Sequence, residues 1–350
     1  MGGSLAIGGP RRIARMGHGP PGREGTPGRQ AVRTRWPDRA MGHARAGLTG
    51  LLSCAAMHRR TFHGALAGAL LSPLASPLTA HAIGHPRAAA TDRRWMDIEA
   101  TSGGRLGVMV VDTASGTTSG HRIDERFPMC SVFKWLAAAF VLHRVDAGEE
   151  QLARRVRFGK DALVAYSPAT EARAGGDGMS IGELCEAAVT LSDNTAANLL
   201  LAGFGGPAAL TQHLRSLGDK VTRLDRNEPT LNQSVPGDPR DTTTPASMAR
   251  LLQRIVLGDA LSPASRDQLT RWLLANKTGA ERLKAGLPAD WRIGDKTGTG
   301  RLGSTNDVGI AWPPGRAPII VCALLTQTTA PAEQRNAVLA AVGRRAAEMG

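Results

Sequence analysis

The chain has 350 residues, 42% apolar and 21% charged, enough for one large domain or two smaller ones around a substantial core. Its net charge of +13 would suit a nucleic-acid partner, but the excess is local. Residues 1–56 hold nine arginines against Glu24 and Asp38, a net of +7; Arg59 and Arg60 add two more, and the chain from Ile83 onward carries only +4. A basic leader says nothing about what the folded part binds, so nucleic acid is excluded as its partner.

Residues 1–56 are rich in Gly, Arg and Pro and lack apolar periodicity, the composition of a segment that does not fold by itself. At Met57 the character changes. Met57-His58-Arg59-Arg60-Thr61-Phe62 precedes a small-residue apolar run from Gly64 to Leu78, then Ala80-His81-Ala82. This is the layout of an export signal over 57–82, with a charged start, a run too short to span a membrane and an Ala-x-Ala cleavage site. The paired arginines resemble a twin-arginine signal. Translation is expected to begin at Met57, residues 1–56 being an over-extended start, and the exported chain to begin near Ile83 and to reach the periplasm without a stable membrane anchor.

The mature part, 83–350, begins with a helix-compatible stretch from Ala88 to Ala100. Arg105 to Thr113 reads as a buried strand ending at Ala114-Ser115-Gly116, and a second strand lies around Gly120 to Ile123. Pro128 then leads to the apolar run that opens with Ser131 and Lys134. The middle is helical: Ser180 to Leu191 starts with a capping box (Ser180, Glu183), and helices follow over 196–201, 207–217, 245–257 and 262–275. Strands return over 291–297, 306–312 and 318–326, with Pro313-Pro314-Gly315 turning between the last two, before an amphipathic helix over 332–349. Strands at both ends with helices between predict an α/β chain of the α+β type. An antiparallel five-stranded sheet built from both chain ends (about 83–127 and 276–350), flanked by terminal helices, would face an all-helical lobe (about 128–275), with a binding cleft between them.

Four constellations border that cleft. Ser131 and Lys134, three residues apart at a helix start, lie one turn apart on one face, where the helix N-terminus favours a developing anion. A serine needs a base, and a lysine lowered in pKa by crowded positive surroundings can serve. Ser192-Asp193-Asn194 sits between two helices and by itself is no more than an N-cap cluster. Lys296-Thr297-Gly298-Thr299-Gly300 lies on a strand that can aim alternate side chains at a ligand, whereas the earlier Lys277-Thr278-Gly279 follows a helix and reads as turn material. Glu228 and Asn232 occupy a loop whose base Arg226 and Asp241 could clamp, and could together hold one water molecule. Histidines 85, 121, 143 and 213 are scattered singly, which predicts no metal, and no cofactor motif is present.

In this order, Ser-x-x-Lys, Ser-Asp-Asn, Glu-x-x-x-Asn and Lys-Thr-Gly resemble the class A serine β-lactamases, over about Asp97 to Met349. The resemblance implies hydrolysis of a β-lactam through an acyl-enzyme by a monomer that confers antibiotic resistance. It implies Ser131 as nucleophile assisted by Lys134, Ser192 as proton relay to the leaving nitrogen, and Asn194 as partner of the substrate's acylamide. Glu228 with Asn232 would activate the hydrolytic water, and whether Glu228 or Lys134 is the base for acylation stays open. Lys296, Thr297 and Thr299 would meet the substrate carboxylate beside Gly298, with the N–H groups of Ser131 and Thr299 as the oxyanion hole. Tyr166 would wall the cleft entrance, and Arg282 would replace the arginine that some members carry where this chain has Thr305. Cys130 and Cys185 lack the family's partner cysteines, since Gly300 and Ala138 stand there, so three free thiols are expected. A penicillin-binding D,D-peptidase and a non-hydrolytic β-lactam sensor are the rival readings; Glu228 and Asn232 argue against the first, and the lack of a membrane-spanning stretch after residue 82 argues against the second, since such sensors are tethered.

Overall fold

The computed structural model describes residues 92–349; the export signal, its cleavage site and the expected start at Met57 lie outside them. The elements run in chain order as follows. Helix α1 (Arg93–Ser102) precedes strands β1 (Arg105–Asp112), β2 (Thr118–His121) and β3 (Phe127–Pro128), and then α2 (Phe133–Asp146). Strands β4 (Arg155–Val156) and β5 (Met179–Ser180) lead to α3 (Ile181–Thr190), α4 (Asn194–Gly203) and α5 (Gly206–Ser216). Next come β6 (Thr242–Thr243), α6 (Pro245–Leu252) with a π-helical continuation Gln253–Leu257, α7 (Pro263–Leu274) and α8 (Leu283–Gly286). The chain closes with β7 (Arg292–Thr299), β8 (Thr305–Trp312), β9 (Ile319–Thr326) and α9 (Ala332–Ala347).

The main sheet has five antiparallel strands in the order β2-β1-β9-β8-β7, the expected sheet drawn from both ends of the chain. All eight residues of β9 are buried, because its apolar run serves two cores. Ile320, Cys322 and Leu324 join the helical lobe's core; Ile319, Val321, Ala323 and Leu325 join a second core with Trp95 of α1 and Val338, Leu339 and Val342 of α9. The two-residue periodicity of a strand is what divides them.

Helix α2 is apolar on nearly every side, with Phe133, Trp135, Leu136, Ala137, Ala138, Val141 and Leu142 all buried, as expected for a helix enclosed by others. Each large side chain so enclosed contributes about 1.5–3 kcal/mol. The capping box forms as predicted, Glu183 N donating to Ser180 Oγ at 3.1 Å and Ser180 N to Glu183 Oε2 at 2.6 Å. The helical lobe is not wholly helical: β4 pairs with β5, and β3 with β6. Nor are the histidines all isolated. His143 and His213 come together with ring centroids 4.7 Å apart, because α5 packs its His213 beside α2, where it also stacks on Phe140. Periodicity places each histidine on a helix but not the helices on each other.

Candidate active site

Ser131 lies in a short 3-10 turn, Cys130–Val132, that runs directly into α2. Lys134 follows one turn later and is fully buried. Ser131 Oγ donates to Glu228 Oε1 at 2.9 Å, and Lys134 Nζ approaches the same oxygen at 3.0 Å. Lys134 also donates to Ser192 O at 2.7 Å and Asn194 Oδ1 at 2.5 Å. Burial pushes the Lys134 ammonium below its ordinary value while Glu228 opposes the shift. Burial, rather than crowding by positive charge, therefore does what the sequence reading assigned to positive surroundings.

Within Ser192-Asp193-Asn194 the middle residue caps a helix and its two neighbours line the cleft. Asp193 is the N-cap of α4, its Oδ1 accepting from Ala196 N at 2.8 Å. Its Oδ2 accepts from Ala169 N and Thr170 N at 2.9 and 3.0 Å, which fixes the loop carrying Tyr166. Ser192, in a left-handed conformation (φ 59°), and Asn194 face the cleft. Lys296 Nζ reaches across to donate to Ser192 Oγ at 3.0 Å and to Thr297 O at 2.8 Å. Burial, and then the nearby Lys134 charge, hold Lys296 well below the usual lysine range.

Glu228 is held at its main chain and at its carboxylate. Asn232 Nδ2 donates to Oε2 at 2.5 Å, leaving Asn232 Oδ1 buried without a protein partner. The amide and carboxylate expected to share a ligand are thus in direct contact. The loop base is clamped as anticipated: Arg226 Nε meets Asp241 Oδ2 at 2.5 Å, and Asp241 Oδ1 accepts from Asp225 N and Arg226 N at 2.7 and 2.9 Å.

In front of these groups opens a cavity of about 340 Å³. Ser131, Tyr166, Ser192, Asn194, Asn232, Arg282, Thr297, Gly298 and Thr299 line it, all expected there from sequence, together with Thr278, which was expected only as part of a turn. Lys134, Glu228 and Lys296 stand buried behind them. Tyr166 is 61% exposed at the rim. Arg282 Nη2 donates to Thr299 Oγ1 at 2.8 Å, while Nη1 donates to Gly298 O and Asn306 O at 3.2 and 2.8 Å. Cys130, Cys185 and Cys322 are free and buried, and a Cβ at Gly300 would lie 2.6 Å from Cys130 Sγ.

Sequence reasoning missed three contributors. The first is Asn198, whose position four residues after Asn194 puts both amides on one face of α4 and was the available signal. Its side chain grips the Glu228 backbone. The second is Thr278 of the earlier Lys-Thr-Gly, which shares a hydrogen bond with Thr297 Oγ1 and donates to Asn276 Oδ1 at 2.8 Å. The third is the carboxyl pair of Asp295, next to Lys296 on β7, and Asp307 on β8, both buried; Asp295 opposes Gly309 and Thr297 opposes Asp307 in the ladder, so the two acids are diagonal neighbours on one face. Burial raises both, Asp307 most, with Asp295 beside it.

A family described as "Beta-lactamase enzyme family" matches residues 90–349. The chain belongs to that family. The β-lactamase is 52% identical to β-lactamase AST-1 of Nocardia asteroides over 256 residues, covering 73% of this chain and 82% of that one. It is 48% identical to a β-lactamase of Streptomyces albus G, covering 83% and 96% of the two chains. Among solved structures it resembles an ancestral class A β-lactamase, with TM-score 0.73 and 64% identity over 74% of this chain and 99% of the other. By family the protein is a class A β-lactamase, a β-lactam hydrolase with a role in antibiotic resistance.

Proposed function

We propose that the β-lactamase works through a serine-bound acyl-enzyme, with residue roles that follow from the contacts around Glu228. The carrying observation is the Glu228 Oε1 oxygen, which accepts from Ser131 Oγ at 2.9 Å and lies 3.0 Å from Lys134 Nζ. Ser131 Oγ attacks the lactam carbonyl carbon, and its proton passes into the Glu228–Lys134 pair. The N–H groups of Ser131 and Thr299 face the developing oxyanion, a contribution of about 3–4 kcal/mol. As the C–N bond breaks, Ser192 Oγ, held by Lys296, protonates the leaving nitrogen. Glu228 and Asn232 then position a water whose oxygen attacks the ester; Glu228 takes its proton and Ser131 leaves as the alcohol. Thr297, Thr299, Arg282 and Lys296 receive the substrate carboxylate beside Gly298, and Asn194 with Tyr166 receives the side chain.

Glu228→Ala tests this. Removing Glu228 also removes the charge that raises Lys134, so more of Lys134 is the neutral amine that can accept the Ser131 proton, and acylation continues while deacylation stalls. Mass spectrometry is expected to show one substrate mass retained on Ser131; unchanged turnover would remove Glu228 from the mechanism. A D,D-peptidase or sensor would give the same trapped adduct in the unsubstituted protein.

The Met57–Ala82 segment supports export to the periplasm, and no helix among the described residues is long and apolar enough to cross a membrane. We infer a periplasmic monomer. N-terminal sequencing of exported protein giving a residue near Ile83 supports this, and retention of Arg11 would oppose it; sedimentation at one chain mass tests the monomer.

A further inference from the structure

Cys130, immediately before the nucleophile, has φ 48°, in the left-handed region that residues with a Cβ rarely adopt. Such a conformation persists only where its surroundings hold it. Two carbonyls lead into it, those of Pro128 and Met129, and both are gripped by one side chain from the opposite wall. Asn306 Nδ2 on β8 donates to Pro128 O at 2.8 Å and to Met129 O at 3.1 Å. Asn306 is 1% exposed, and its Oδ1 has no hydrogen-bond partner, so these two are the only hydrogen bonds its amide makes. The reverse orientation would aim a third oxygen at two carbonyls, so only the N–H groups can face them. The neighbouring strand completes the seat: a Cβ at Gly298 would lie 2.5 Å from Met129 O and 3.2 Å from Val132 N, so only glycine permits the approach. Arg282 Nη1 fixes both strands, through Gly298 O and Asn306 O. On the other side, Met129 N donates to Asp241 O at 2.9 Å.

We propose that Asn306 is a positioning residue for the oxyanion hole: by holding the Pro128 and Met129 carbonyls it keeps Cys130 left-handed and aims the Ser131 N–H at the substrate carbonyl. Thr299, the other donor, lies on β7, hydrogen-bonded to β8. Asn306 therefore sets the spacing between the two donors, one from each wall. It touches neither substrate nor reacting atoms.

The inference rests on the reading of Ser131 as the acylated serine, and its test separates the two. In a Glu228→Ala background the trapped acyl-enzyme reports the hole through its ester carbonyl stretch, which moves to higher wavenumber as hydrogen bonding to the carbonyl weakens. Asn306→Ala is expected to raise that stretch and, with Glu228 intact, to lower kcat/KM by roughly ten- to a hundredfold. Affinity for phenylboronic acid, whose boronate hydroxyl occupies the same hole, should fall in parallel. Because Asn306 is buried, Asn306→Asp, of equal size and without the amide N–H, is the second variant, read in the same way. No adduct in the Glu228→Ala parent overturns the acyl-enzyme reading itself. An adduct whose stretch is the same with and without the Asn306 amide in a folded variant overturns the role of Asn306, as does unchanged kcat/KM.

Discussion

Asn198 holds the main chain of Glu228 at both of its polar groups: Oδ1 accepts from Glu228 N at 2.9 Å, and Nδ2 donates to Glu228 O at 2.9 Å. One amide on α4 thereby fixes the residue proposed to activate the hydrolytic water, although Glu228 itself lies in a loop. Asn198→Ala frees that backbone without touching Ser131 or Lys134. Deacylation is expected to slow by roughly ten- to a hundredfold while the pre-steady-state acylation burst persists, since a small misplacement of a catalytic group has this scale of cost. Burst and steady-state rates measured with a chromogenic cephalosporin check it; equal slowing of both phases would count against the assignment.

Thr278 bears on substrate affinity. Asn276 Oδ1 also accepts from Thr278 N at 3.0 Å, so the Thr278 hydroxyl can turn to Thr297 without leaving that oxygen unpaired. A carboxylate drawing the Thr297 proton forward would then be supported from behind. Thr278→Val should raise KM roughly fivefold for substrates with the carboxylate, the worth of one hydrogen bond of ~1 kcal/mol, and leave kcat alone. Substrate methyl esters should show no such change.

The Asp295–Asp307 pair predicts a pH dependence of stability. Both carboxyls are raised by burial, so the folded chain retains protons that the unfolded chain has released. Their contribution is full below about pH 4, the unfolded carboxylate value, and is lost as pH rises through the folded values. Arg282 and Lys296 moderate the loss, the adjacent lysine acting mainly on Asp295. Asp307→Asn keeps the shape and removes one titration, so its denaturation midpoint should fall less than that of the unsubstituted protein between pH 5 and 8.

His213 gives the opposite sign. Burial, with His143 beside it, pushes it down to about 4, against an ordinary value near 6.5. Its neutral form is the folded one, so stability is full above pH 6.5 and falls as the pH drops toward 4. His213→Phe, with a ring to stack on Phe140, should flatten that acid limb of a melting-temperature profile; an unchanged slope would exclude His213 as its source.

The sheet and most helices were legible because their signals are local: the apolar runs of β1, β8 and β9, the Ser180 capping box, and Pro at the first turn of α6 and α7. Seven of the ten cavity-lining residues were legible because their motifs are short and ordered along the chain, and Tyr166 and Arg282 through the family resemblance those motifs carry. Lys277-Thr278-Gly279 is the turn its sequence suggests, and Thr278's place in the cavity was missed because only the packing of that turn against β7 gives it one. Asn198 and Asn306 carry no charge and sit in no motif; what they do depends on which backbone they face across the cleft. Asp295 and Asp307 belong to different strands, and sequence spacing alone does not make them diagonal neighbours.

The β1–β9 ladder runs from Arg105 opposite Thr326 to Asp112 opposite Ile319, pairing strands separated by most of the described chain. Until β9 has been synthesised and has found β1, the strands bearing Lys296 and Asn306 have no route into the sheet, and Ser131 has no opposing wall. Closing so long a loop makes folding slow for the chain's size and postpones it until β9 is available. Recovery of β-lactam hydrolysis during refolding is therefore a direct readout of completed strand pairing, and no fragment ending before β9 can display it.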